Sequence, residues 1–222
     1  MSSPRGKAVA AKAVAAKAAS LLLRYPDAET LSALPVLTDA LADLPEPVAG
    51  PLRIVAGHRA ATPPGELAPE YVATFDFRRR CCLHLTYYTC GDTRRRGEAL
   101  VAFAHAHKAA GVEVTGGELP DFLPAVLELA AGPDPTGGWA LLRAHRVGLD
   151  LLAEALATDR SVYRHAVLAV LELLPAPSRS DRDAAVALAH RGPPVEQVGL
   201  PQAGSVSAAG PFGLTVPSGG RR

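Results

Sequence analysis

The stretch Asp134–Asp159, DPTGGWALLRAHRVGLDLLAEALATD, decides the fold class. Asp134 offers a capping oxygen, and Pro135 follows it at the first helical position, where a missing N–H costs nothing. Trp139, Leu142, Leu149, Leu152 and Leu156 then recur at intervals of three, four and seven, the mark of one apolar helix face. A strand would need alternation, and there is none.

The same grammar extends in both directions. Downstream, SVYRHAVLAVLELLP follows at once, and SDRDAAVALAHRGPP places Ser180 and Asp183 in capping-box spacing before closing on glycine and proline. Upstream, ELPDFLPAVLELAAG reads as a helix with Asp121 as N-cap, Pro124 at its third position and a stripe of Leu123, Val126, Leu127 and Ala130. TRRRGEALVAFAHAHKAAG sets Leu100, Phe103, Ala104 and His107 along one side, a mostly core face, and ends on Gly111. Before it, ELAPEYVATFDF continues a helical spacing through Tyr71, Phe75, Cys82 and Leu85 to a stop at Gly91 and Asp92.

EPVAGPLRIVAGHRAA is a weaker helix, and DAETLSALPVLTDALADL one kinked or split at Pro35. The repeat KAVAAKAVAAKAA has high helix propensity and reads as helix padding with one solvated, lysine-bearing side, stopping before Pro26. No set of alternating strands joined by hairpin turns is present. The expectation is an all-α, single-domain bundle over residues 1–192. From residue 193 a Pro/Gly/Ser-rich segment is too poor in periodic apolar residues to fold, and reads as a mobile tail, with its first part, PPVEQVGL, lying back on the bundle.

Composition narrows the function. The 222 residues are 48% hydrophobic and 20% charged, with a net charge of +1, which argues against broad polyanion binding. Three cysteines cannot build a disulfide framework, no apolar run reaches membrane-spanning length, and Lys12 and Lys17 interrupt any signal-peptide core. A cytoplasmic protein is expected.

Cys81, Cys82, His84 and Cys90 hold zinc-like atoms at the wrong spacing, because adjacent cysteines on a helix diverge by about 100°. They read as core cysteines, and no metal is assigned. Seven histidines and the carboxylates Glu118, Asp121 and Glu128 form no recognisable catalytic motif. The triplets Arg78, Arg79, Arg80 and Arg94, Arg95, Arg96 flank a greasy segment and suit either a solvated helix face or rim charges steering a partner. The alternative reading is a helical DNA-binding regulator using those clusters, but the helix after Gly91 lacks base-reading side chains. Residue chemistry alone points to a helical module that grips another polypeptide in a groove.

The stretch from Glu70 to Ala131 holds EYVATFDFRRRCCLHLTYYTCGDTRRRG and GELPDFLPAVLELAA, with LLLRYPD before it and PPVEQVGL after the last helix. It resembles the NarJ family, the assembly chaperones or delta subunits of respiratory nitrate reductase, within the TorD-like redox-enzyme chaperones. GDTRRRG and ELPD-x-LP are its specific parts. The family's usual histidine in ELPDHLP is Phe122 here, which removes any role for an imidazole there.

The resemblance implies a cytoplasmic helical protein, without catalysis or cofactor of its own, present as a monomer or weak homodimer. Such proteins bind the N-terminal segment of the apo catalytic subunit and keep it competent for molybdenum cofactor insertion before membrane docking. On this reading the groove is lined by Tyr71, Phe75, Leu83, Tyr87, Phe122 and Leu123. Glu118 and Asp121 meet basic peptide residues, and Pro120 and Pro124 stiffen that edge.

Overall fold

A computed structural model describes residues 4–114 and 117–194. The chain opens with α1 (Pro4–Leu23), α2 (Ala28–Ser32), α3 (Leu34–Ala40), α4 (Glu46–Ala61) and α5 (Pro64–Phe75). After an irregular passage come α6 (Tyr87–Cys90), α7 (Arg94–Ala109), α8 (Leu123–Ala131), α9 (Pro135–Ala144), α10 (Arg146–Thr158), α11 (Arg164–Glu172) and α12 (Arg179–Arg191). Among the described residues there is no strand, only one isolated antiparallel bridge between His84 and Phe122. No described helix is long and apolar enough to cross a membrane. The expected tail lies, from residue 195, outside the described residues.

The alanine-rich helix is not padding. Ala15, Ala16, Ala18, Ala19, Leu22 and Leu23 are buried, and α1 packs against α8, α11 and α4. Small side chains let the helix backbones approach closely. Ser20 donates to the Pro124 carbonyl at 2.9 Å and Lys17 meets Glu128 at 2.9 Å, so α1 and α8 run antiparallel. The far end of α1 is closed by the core itself. Tyr71 donates to the Leu23 carbonyl at 2.9 Å, and the guanidinium of Arg59, only 2% exposed, donates to the carbonyls of Leu21 and Arg24. Three otherwise unpaired carbonyls and the negative end of the helix dipole thus receive donors and a cation. Tyr71, Phe75 and Tyr163 complete the cluster, with ring centroids 4.7–5.9 Å apart.

Several sequence expectations are corrected in detail. The helix before the cysteines does not continue to Leu85; it ends at Phe75, and Arg79–Cys81 form one 3-10 turn. Cys81, Leu83 and Leu85 are buried while Cys82 and His84 are partly exposed, a short period of two that brings the chain to the bridge with Phe122. The long helix over Asp134–Asp159 is two, broken at His145, whose imidazole bonds back to the Leu141 carbonyl at 2.9 Å. Asp134 does cap it, accepting from the Gly137 N–H at 2.9 Å. The last helix starts two residues earlier than its spacing suggests, with Ser178 and Asp181 forming the capping box. Helix α7 is mostly exposed, burying only Phe103 and His107.

Candidate functional site: a clasp and a groove beside it

The two motif segments meet at Asp121. It is not the N-cap of α8; Phe122 holds that position without a side-chain cap, and Pro124 is the second helical residue. Asp121 is instead fully buried and accepts from the Thr86 amide at 3.0 Å, from the Thr86 hydroxyl, and from His84 Nδ1 at 3.1 Å. Two backbone bonds flank it, Leu85 N–H to the Asp121 carbonyl at 3.0 Å and Leu123 N–H to the Leu83 carbonyl at 2.8 Å. Burial pushes the Asp121 carboxyl up, but the bonds from His84 and Thr86 outweigh it and hold the group below the usual carboxylate range. A charge-assisted clasp therefore pins the Cys82–Thr86 segment to the start of α8.

The second arginine triplet feeds the same clasp. Arg96 Nε donates to the Thr86 hydroxyl oxygen at 3.3 Å, and its Nη1 meets Asp92 at 3.2 Å. Arg79 reaches Asp92 at 2.7 Å, and Arg78 reaches Asp159 at 3.2 Å. Cations in the first turn of α7 oppose its dipole, and Asp92 offsets that. Arg80 and Arg95 are exposed. With Arg78, Arg79 and Arg96 committed to internal acids, the clusters are less available to nucleic-acid phosphates than their density suggests. Cys81 is held by the core too: burial first, then its hydrogen bond to Asp159 at 3.4 Å, pushes the thiol up to about 12.

Beside the clasp lies a groove of about 590 Å³ between α1, α8 and the residues Val112, Glu113, Val114 and Glu118. Val14 of α1, Val112, Val114 and Phe122 give it an apolar surface, over a floor of the buried α8 residues Ala125 and Leu129. Lys17, Arg24, Glu113, Glu118 and Glu128 stand around it. Glu128 meets Lys17 at 2.9 Å and Arg24 at 3.7 Å. His107 is buried in the wall; its Nε2 lies 3.1 Å from the Pro120 carbonyl, and its Nδ1 has no partner among the described residues. Such a surface has the chemistry to take an apolar side of another chain, with charges at the edge for its polar side.

The residues expected at the groove divide into three sets. Phe122 and Glu118 lie on it. Tyr71, Phe75, Leu83, Asp121 and Leu123 are buried in the core or the clasp, a correction of their expected place on an open wall. Tyr87 is half-buried and lies in a different hollow, beside Arg78, Arg79 and Arg80, while Pro120 sits behind the wall as the acceptor for His107. Val14, Lys17, Ala125 and Leu129 were missed. Their only signal is that alanine-rich α1 and the apolar stripe of α8 are long enough to pair.

Fold and groove together define an all-α bundle with an open apolar trough along one side. A family model described as nitrate reductase delta subunit matches residues 27–165, and the chain belongs to that family. It is similar to the nitrate reductase-like protein NarX of Mycobacterium tuberculosis H37Rv, 41% identical over 152 residues, which are 68% of this chain and 23% of that protein. It also resembles the probable nitrate reductase molybdenum cofactor assembly chaperone NarJ of Bacillus subtilis, 33% identical over 162 residues, 70% of this chain and 86% of that one. The corresponding NarJ chaperone of Escherichia coli K12 is 32% identical over 115 residues, 50% of this chain and 49% of that one. The chain thus spans under a quarter of NarX, about half of the E. coli relative and most of the Bacillus one.

Proposed function

We propose that this protein is an assembly chaperone of a respiratory nitrate reductase. It takes the N-terminal segment of the apo catalytic subunit into the groove between α1 and α8, in the cytoplasm, and keeps that subunit competent for molybdenum cofactor insertion before membrane docking. It acts by binding and not by catalysis. The reading rests on one observation above the rest, an apolar trough edged by charges of both signs in a chain of the delta-subunit family. The names of the Bacillus and E. coli relatives agree with it.

Affinity in such a trough comes from a few apolar anchors, so dissociation constants between micromolar and nanomolar are expected. Calorimetric titration with a synthetic N-terminal peptide of the catalytic subunit measures this. Val14→Asp, which puts a charge on the apolar wall of the groove, lowers affinity at least tenfold while leaving the melting temperature within a few degrees. No heat with the unaltered protein at several hundred micromolar peptide refutes the proposal.

A further inference from the structure

The groove does not stop at its 590 Å³ basin. Ala13 of α1 also borders a second hollow of about 300 Å³, whose other side is Ala130, Pro135, Thr136 and Trp139. Since α1 and α8 are antiparallel, with Ser20 at Pro124 and Lys17 at Glu128, the two hollows follow one another along a single trough. From Val9 to Arg24 the α1 wall rises about 22 Å, enough for about six extended residues or about fifteen helical ones.

The trough carries opposite charge at its two parts. In the basin Glu128 meets both Lys17 at 2.9 Å and Arg24 at 3.7 Å, so these three together keep one positive charge, which one of the next two carboxylates offsets and the other exceeds. The basin adds Glu113 and Glu118, both exposed, and the second hollow adds Lys12 and Arg143, both exposed. None of these four has an ion-pair partner among the described residues. Lys12 lies over the Trp139 ring at 5.3 Å and donates to the Leu173 carbonyl at 3.1 Å, so its charge is oriented but not cancelled.

We propose that this polarity fixes the direction of the bound segment: its positively charged amino end lies at Glu113 and Glu118, and its trailing end at Lys12 and Arg143. The bound chain then runs antiparallel to α1. The inference rests on the chaperone reading and adds to it which end of the client enters where. A client with an acidic leading end is repelled from the basin, so the rim discriminates by charge as well as by apolar fit.

The test uses the full chain and fifteen-residue peptides from the catalytic subunit's N-terminus carrying a benzophenone at either end. After irradiation and mass spectrometry, the leading-end probe is expected on residues 112–122 and the trailing-end probe on residues 135–143. The reverse pattern, or equal labelling of both regions by both probes, overturns the direction while leaving the chaperone reading intact. Absence of calorimetric binding overturns the chaperone reading itself. A second measurement does not depend on cross-linking. The pair Glu113→Lys and Glu118→Lys weakens binding of the unblocked peptide by roughly five-fold or more at low salt. Acetylating the peptide's amino group weakens binding to the unaltered protein and narrows that gap; unchanged affinity in both cases overturns the proposal.

Discussion

Asp121, fully buried, accepts from three protein donors in place of water, and all three come from a segment 35 or more residues earlier. Asp121→Asn keeps the size but sets an amide N–H₂ against at least one of them. The expected loss is about 1–3 kcal/mol, measured by urea unfolding at pH 7. The sign with pH follows from the depressed folded value. The clasp's contribution is complete above the unfolded carboxyl value, about 3.9, and fades as pH falls through the lower folded value. The gap between variant and unaltered protein therefore closes in acid, and a gap that widens there contradicts the clasp. The sequence reading singled out Asp121 but made it a cap and a groove charge, and it is neither. Caps and buried acceptors draw on the same residue types, and only the fold shows that the donors are His84 and Thr86.

Helix α9 crosses α8 at Gly138. A Cβ there would sit 2.4 Å from the Ala130 nitrogen and 2.5 Å from its Cα, both backbone atoms that cannot step aside. Gly138→Ala is therefore expected to lower stability by about 1–3 kcal/mol despite better helix propensity; a higher melting temperature would contradict this close crossing. Gly91 is constrained twice. Its φ is +57° and ψ −153°, a region open in practice only to glycine, and a Cβ would meet the Pro194 carbonyl at 1.7 Å. The sequence marked Gly91 as a stop, but the second reason lies a hundred residues away. Most helices were legible from apolar spacing, prolines and caps. The passage through Cys82–His84 was not, because the three alternating buried residues Cys81, Leu83 and Leu85 are too few to outweigh a helical pattern on either side.

At the scale of the molecule, the sequence placed the groove where the aromatics are. Aromatic side chains bury the most surface, and Tyr71, Phe75 and Tyr163 do so in the interior. The open wall belongs instead to α1, an alanine-rich helix that precedes the family match at residue 27 and carries few recognisable anchors. Small residues pack one face of α1 against α8, and the adjoining edge remains open as groove. Neither fact has a sequence signature stronger than composition.

The chain has a single tryptophan, and it stands where the trough ends, under the ammonium of Lys12. That pairing gives the molecule a built-in optical gauge. A guest that reaches the far hollow must disturb the cation over the indole or shield the ring from solvent, so Trp139 emission changes in intensity and wavelength during a titration. Peptides too short to pass Ala13 should leave the spectrum unmoved even while they release heat, which makes the light signal a ruler for how far along the trough a guest extends.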